Sequence, residues 1–150
     1  MHLSWDVVYE PGVIEATGYR GDDVVCTRRV TTAGPPHAPE LEVDRLAIRA
    51  DGCDVAHVTV RAVDAAGVFV PTAACEVRFD IQGAGRLIGV DNGDPLDLGD
   101  VKANTRKTFN GMCLAIVQAA RHSGMIELNA TADCLAPASV MITVEERGRA

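Results

Sequence analysis

One short stretch of the chain carries enough side-chain oxygens to hold a hard cation. Residues 91–100 contain four aspartates and one asparagine, and clustered carboxylate and amide oxygens are the ligands that Ca2+ prefers. The spacing differs from that of an EF-hand loop, because no glutamate ends the stretch and Pro95 interrupts it. The pattern therefore favours a turn-rich loop whose Asp and Asn side chains accept hydrogen bonds from nearby backbone N–H groups. We expect no metal ion or other cofactor, with cation binding as the alternative.

The histidines and serines form no pattern that indicates a nucleophile. His57 falls on the polar side of a strand pattern and is expected to be solvated. Ser123 follows His122, but no G-x-S-x-G turn surrounds it, so the sequence gives little support to a serine nucleophile. Residues 83–85 read Gly-Ala-Gly without the following helix that a dinucleotide-binding turn requires, and they predict a hairpin turn instead.

The five cysteines lack the C-x-x-C spacing that is typical of zinc sites. Cys75 and Cys113 lie within apolar strand patterns, where a free cysteine packs as a small hydrophobe. We expect this packing for both, with a disulfide as the alternative, because a sequence does not show which cysteines are close in space. The five are Cys26, Cys53, Cys75, Cys113 and Cys134.

The composition is that of a globular protein, since 47% of the 150 residues are hydrophobic and 23% are charged. A formal net charge of −7, with the basic residues scattered, disfavours a nucleic-acid partner.

No apolar run approaches the roughly 20 residues that cross a bilayer, so we expect no membrane contact. The first residues lack the basic segment and the apolar segment of a signal peptide. A leader in a longer protein would make the domain periplasmic or secreted, and without one it would be cytoplasmic.

Alternation of apolar and polar side chains, which indicates strands, predicts the elements around these residues. In residues 1–38 this pattern predicts a three-stranded antiparallel segment with turns at Pro11–Gly12 and at residues 21–23. Residues 33–39 contain three prolines and a glycine and form the predicted linker. The three predicted strands are Trp5–Tyr9, Val13–Tyr19 and Val24–Thr32.

From Leu41 onward, about seven short strands separated by Gly and Pro turns fit an antiparallel immunoglobulin-like β-sandwich. The parity of the apolar residues changes between Val43 and Leu46, which predicts a bend near Asp44–Arg45. Residues 112–120 are apolar on both faces and predict a central strand covered on both sides, with a buried helix as the alternative. The clearest alternation lies in residues 56–62, 75–81, 126–130 and 140–144.

Three successive segments resemble a known family. The turn Gly89–Pro95, the loop residues Lys102–Asn104 and the strand region Phe109–Gln118 follow the order of the C-terminal region of family 2 glycoside hydrolases, the β-galactosidase-like enzymes. Residues Trp5–Gly12 resemble the last strands of the immunoglobulin-like domain that precedes it. The resemblance implies that residues 1–38 are the C-terminal strands of a truncated immunoglobulin-like domain, and that residues 39–150 form the final immunoglobulin-like sandwich.

The resemblance also implies that this chain hydrolyses nothing by itself. In that family two glutamates on a separate barrel domain do the chemistry, and a retaining glycosidase needs its two carboxyl groups about 5 to 5.5 Å apart. No glutamate here lies in a matching motif, so we expect no catalytic residue. We expect a structural module that packs against other domains of a longer enzyme, or against a second copy through its N-terminal strands. The glutamates are Glu10, Glu15, Glu40, Glu42, Glu76, Glu127, Glu145 and Glu146.

Two alternatives come from other functional classes. A carbohydrate-binding module would stack sugars on exposed aromatic rings, but the chain has six aromatic residues and Phe79 belongs to a core-facing pattern. A bacterial surface adhesin would share the sandwich, since residues 54–62 and the turn at 83–87 also occur in invasin-like domains. Tandem repeats would support the adhesin, and no internal repeat is visible.

Overall fold

The computed structural model describes residues 3–146, and the chain divides into two compact units between Ala33 and Gly34. Within the described residues it forms β-strands and no helix, which confirms the predicted all-β class. The predicted domain limits, 1–38 and 39–150, stay a prediction. The strands are β1 (Val13–Arg20), β2 (Asp23–Thr31), β3 (Ala38–Val43), β4 (Ala47–Arg49), β5 (Val55–Val63), β6 (Glu76–Gly83), β7 (Gly85–Asp91), β8 (Thr105–Lys107), β9 (Met112–Ala119), β10 (Gly124–Ala132) and β11 (Leu135–Glu145).

The first unit is a hairpin of β1 and β2 that buries almost nothing. The strands pair antiparallel from Val13↔Thr31 to Arg20↔Asp23, and β2 is exposed along its whole length. Residues Trp5–Tyr9, predicted as a third strand, lie outside this sheet and are exposed. The alternation of apolar and polar side chains predicts which residues share a face. A β-strand also needs a hydrogen-bonded partner strand, and the described part of this unit does not supply one for these residues.

The second unit is a sandwich of two sheets. One has the strand order β3-β5-β9-β7 and the other the order β4-β11-β10-β6-β8, and every pairing is antiparallel except that of β4 with β11. The immunoglobulin-like sandwich is thereby confirmed. The described residues contain nine strands here where about seven were predicted, because β4 and β8 have only three residues each. Strands this short show no readable alternation.

The core lies between the two inner faces, where the alternating apolar residues meet. Val58 of β5 and Val117 of β9 face Phe79 of β6 and Leu128 of β10, and each of these side chains is at most 2% exposed. Pairing of β9 with both β5 and β7 excludes the helix alternative. The outer face of β9 is half-buried rather than covered, so the expectation of full cover on both sides was too strong.

The chain changes sheets at two of the predicted turns. The bend at Asp44–Arg45 is confirmed, and it carries the chain from β3 in one sheet to β4 in the other. The hairpin predicted at residues 83–85 is wrong, because β6 and β7 belong to different sheets. Gly83 has a φ of +95°, and a Cβ there would collide with the carbonyl oxygen of Met125. Glycine therefore allows the chain to cross tightly from one layer to the next.

Both edges of the four-stranded sheet carry features that hinder the addition of another strand. β3 forms one edge and carries Pro39, Glu40 and Glu42. At the other edge, the backbone N–H of Val90 in β7 donates to the carbonyl of Val101 at 2.8 Å. Proline, charge and a covering loop are recognised ways to prevent a sheet from adding strands.

Asp64 holds the turn that follows β5. Its side chain is nearly buried and accepts hydrogen bonds from the backbone N–H groups of Gly34 at 2.7 Å, Ala66 at 2.9 Å and Val68 at 2.8 Å. These bonds, led by that from Gly34, hold the pKa of the Asp64 carboxyl below its usual value. The turn is therefore fastened by an ionised carboxylate.

A disulfide joins Cys75, just before β6, to Cys134 in the turn between β10 and β11. The expectation that Cys75 packs as a free thiol is therefore wrong, since its partner is 59 residues away in sequence. Cys113 is free and buried as expected, and burial raises the pKa of its thiol to about 12. Cys26 and Cys53 are free and exposed.

Candidate functional site

The conspicuous surface feature of the sandwich is the aspartate loop, residues 91–104, which runs from the end of β7 to the start of β8. The turn-rich loop predicted over residues 91–100 extends to Asn104, after which β8 begins its pairing with β6. A loop that links strands of two different sheets must cross one end of the sandwich, where its side chains are accessible. The loop is held in one conformation by three sets of hydrogen bonds.

The first set is a series of Asx turns repeated every three residues. Each of four aspartates accepts, through its Oδ1 atom, the backbone N–H of the residue two positions later. This confirms the Asx-type bonds predicted for the stretch. The pairs are Asp91 with Gly93 at 3.2 Å, Asp94 with Leu96 at 3.0 Å, Asp97 with Gly99 at 2.8 Å, and Asp100 with Lys102 at 2.8 Å.

The second set centres on Asn92, which ties the loop to β8. Its Oδ1 accepts the backbone N–H of Asp94 at 2.9 Å. Its Nδ2 donates to Oδ2 of Asp97 at 2.8 Å and to the carbonyl of Lys107 at 3.0 Å. The side chain thus uses both its acceptor and its donors inside the protein.

The third set comes from Arg106 of β8, which is 5% exposed. Its guanidinium donates to Oδ2 of Asp97 at 2.8 Å and to the carbonyls of Val90 at 3.2 Å and Gly99 at 3.4 Å. Within the described residues its Nε has no partner. The Gly99 N–H and then the Arg106 guanidinium hold the pKa of Asp97 below its usual value. A charged pair between a buried guanidinium and a half-buried carboxylate therefore anchors the base of the loop.

The carboxylates of the loop are arranged as turn acceptors. Each points one oxygen at a backbone N–H group, and residues 3–146 contain no group of three or more Asp, Glu, His or Cys side chains that could hold a metal ion. The same part of the chain contains no helix that could cross a membrane.

Next to the loop, residues 109–112 form a two-residue turn that we call the Asn-Gly turn. Phe109 and Met112 exchange backbone hydrogen bonds, and the turn residues Asn110 and Gly111 have φ values of +49° and +77°. Such turns require positive φ at both central positions, which Asn and Gly adopt most readily. Thr108, 3% exposed, fastens the turn by donating to the Ala73 carbonyl at 2.9 Å.

Two leucines on the aspartate loop are almost completely exposed. Leu96 is 84% exposed and Leu98 is 97% exposed, although the backbone N–H of Leu96 is held by Asp94. The two leucines flank Asp97 within a stretch rich in Asp and Gly. The sequence pattern of this stretch is polar, so it did not indicate an exposed apolar pair. A rigid loop that presents two apolar side chains has the character of a contact surface.

The other residues considered from the sequence do not join this site. His57 is half-exposed, as predicted, and its Nδ1 lies 3.4 Å from Oδ2 of Asp44. His122 and Ser123 are exposed between β9 and β10. Sequence reasoning missed Arg106, because it stands between Thr105 and Lys107 in a pattern that looks solvated.

Residues 40–141, which include the whole aspartate loop, match a family model described as the glycoside hydrolase family 2 C-terminal domain 5. The chain belongs to glycoside hydrolase family 2. This confirms the resemblance drawn from the sequence. Residues 1–26 of this family 2 chain match a different model, a domain of unknown function called DUF4982.

Relatives of this family 2 chain are much longer proteins. A β-galactosidase of Bacteroides ovatus, BoGH2A, is 37% identical over 146 residues, which are 97% of this chain and 17% of that protein. A putative β-glucuronidase of Formosa agariphila is 31% identical over 120 residues, 79% of this chain and 12% of that protein. The crystal structure of a glycosyl hydrolase family 2 member from Bacteroides cellulosilyticus is similar with a TM-score of 0.88 at 34% identity, over 94% of this chain and 18% of that one. The chain therefore spans less than a fifth of these relatives.

Proposed function

We propose that this chain is a non-catalytic C-terminal module that packs against other domains of a longer β-galactosidase-like enzyme, whose separate catalytic domain hydrolyses O-glycosidic bonds. Family membership supports the type of enzyme, and the names of the two relatives support a β-glycoside as its substrate. The chain corresponds to 17% of the β-galactosidase relative. The greater part of such an enzyme is then available for the catalytic machinery.

The observation that carries the proposal is the pair of exposed leucines on a fixed loop. Leu96 and Leu98 are 84% and 97% exposed, and burying a leucine side chain contributes roughly 2 kcal/mol. Docking an already ordered loop loses little conformational entropy, so most of this contribution remains available for binding. The Arg106–Asp97 pair and the Asx turns supply that order.

The hairpin of the first unit supports the same role. Val13, Ile14, Tyr19, Val24 and Val30 are each more than 45% exposed, and a two-stranded hairpin is marginally stable in water by itself. Strands from another domain of the longer enzyme would cover these side chains and complete a sheet. Pairing with the hairpin of a second copy is the other arrangement that would cover them.

Two measurements test the non-catalytic role. The purified 150-residue chain should not hydrolyse p-nitrophenyl β-galactoside or β-glucuronide, whereas the longer protein encoded by the same gene should hydrolyse one of them. The upstream reading frame should encode a barrel domain with paired glutamates. Hydrolysis by the chain alone, or an upstream frame without such a domain, would refute the proposal.

A double variant tests the docking role of the loop. In the longer enzyme, Leu96→Ser with Leu98→Ser should lower the melting temperature and separate the unfolding of this domain from that of its neighbour. In the 150-residue chain the same change should alter stability by less than about 0.5 kcal/mol, because both side chains are exposed. Met141→Ser on β11, where the side chain is 46% exposed, is the matched control. Equal effects of the two variants on the longer enzyme would contradict the idea.

A further inference from the structure

An open groove of about 660 Å3 lies beside the aspartate loop, and this volume is within the range of about 300–1,000 Å3 that small-molecule sites occupy. Neither of the exposed leucines lines it, so the groove is a feature separate from the proposed docking surface. We call it the polar groove. Its walls are residues 71–74, the loop residues Asn92, Asp94 and Asp97, and residues 107–110.

Phe109, an aromatic residue whose backbone is fixed, lines the polar groove. Phe109 is 37% exposed, and it also lines a neighbouring groove with Thr59, Met112 and Leu114. Its backbone is held by the bonds to Met112 across the Asn-Gly turn. A rigid aromatic face offers a large apolar contact at a small cost in entropy.

The other walls carry hydrogen-bonding groups that the protein does not use. Asp94 accepts the Leu96 N–H through Oδ1, which leaves its Oδ2 for a ligand. The side chains of Thr72, Lys107 and Asn110 make no hydrogen bond or ion pair within residues 3–146 and line the same groove. An acceptor, a charged donor, an amide and a hydroxyl therefore line the same groove as Phe109.

This combination matches a molecule with one apolar face and an edge of hydroxyl groups. A pyranose ring has that form: its axial C–H groups can lie on the face of Phe109 while its hydroxyls donate to Asp94 and accept from Lys107. The net charge of −7 and the aspartates around the groove disfavour an acidic sugar.

We propose that the polar groove binds a neutral hexopyranose unit of an oligosaccharide. This goes beyond the structural role, because it gives the module a ligand of its own. The bound sugar would stack on Phe109, with Asp94 and Lys107 hydrogen-bonded to its hydroxyls. Because the sugar would contact one aromatic ring and few polar groups, we expect weak binding, with a Kd on the order of 1 mM.

The test is a titration of the 15N-labelled 150-residue chain with lactose and with cellobiose, followed by amide chemical shifts. At least one of the two should give saturable shifts confined to residues 71–74, 92–97 and 107–110. Phe109→Ala should weaken binding at least tenfold. Asp94→Asn retains the Oδ1 acceptor and removes the carboxylate, and it should weaken binding several-fold with the loop spectrum unchanged.

Met112→Ala is the matched control, because Met112 is 38% exposed, borders Phe109 and does not line the polar groove. Its Kd should equal that of the unchanged chain. No saturable shift with either disaccharide would overturn the proposal, as would shifts that survive Phe109→Ala. Tighter binding of a glucuronic acid disaccharide than of both neutral sugars would also overturn it. None of these outcomes bears on the docking of the leucines, which the double leucine variant tests.

Discussion

Removing the Cys75–Cys134 disulfide should lower the free energy of unfolding of the sandwich by about 4 kcal/mol. The bond closes a loop with a sequence separation of 59 residues, and for a loop of this length the chain-entropy relation gives about 4 kcal/mol at 25 °C. The crosslink joins the start of β6 to the turn between β10 and β11, so it restricts the unfolded chain over the five strands β6 to β10. Replacing both cysteines, as Cys75→Ala with Cys134→Ala, avoids leaving a reactive partner.

The assay is equilibrium unfolding in urea without reductant. The double variant Cys26→Ala with Cys53→Ala is the control, because both thiols are free and exposed, and it should change stability by less than about 0.5 kcal/mol. Thiol titration gives an independent reading. Two thiols should react in the folded protein, three after denaturation and five after reduction, since Cys113 is free but buried. Five reactive thiols in denatured, unreduced protein would refute the reasoning, as would equal stability of the two double variants.

Three further substitutions test other contacts. Arg106→Met should cost roughly 2 kcal/mol in urea unfolding, because it removes a charge-assisted hydrogen bond to Asp97 and the donors to two backbone carbonyls, and should speed hydrogen exchange in residues 91–104; unchanged exchange there would contradict the anchoring role. Gly111→Ala should cost about 2 kcal/mol more than Gly67→Ala, because both have positive φ but only Gly111 faces the Val70 carbonyl and the Phe69 ring; equal losses would argue against crowding. The lowered pKa of Asp64 predicts a stabilisation that is complete above an unfolded pKa of about 3.9 and is lost as the pH falls through the folded value. Asp64→Asn should therefore be less stable at pH 7 and less sensitive to acid, and parallel pH profiles would contradict this.

The strands of the sandwich could be predicted because each buries one face. Residues 56–62 of β5 and residues 126–130 of β10 alternate without a break, and period-2 burial leaves that pattern directly in the sequence. The Asx turns could be predicted equally well, because the hydrogen bond that an Asp side chain accepts from the N–H two residues later is a local interaction. The family resemblance rested on the same local order of turn, loop and strand.

Features that depend on the path of the chain could not be predicted. Glycines at 83 and 85 indicate a reversal, but whether the next strand joins the same sheet depends on contacts far along the chain. Cys75 gives no sign of Cys134, because proximity across 59 residues follows from the fold alone. Arg106 looks like a solvated residue until the crossing of the loop places Asp97, Val90 and Gly99 around it.

The edges of the four-stranded sheet bear on whether the module aggregates during synthesis or when it is separated from its neighbouring domains. Pro39 with two glutamates on β3, and the Val90–Val101 bond on β7, interrupt the row of N–H and C=O groups to which another chain could pair. These features should lower the tendency of a nascent or detached sandwich to aggregate through this sheet. The hairpin of β1 and β2 has no proline within its strands, and its exposed valines make it the segment through which misassembly would begin.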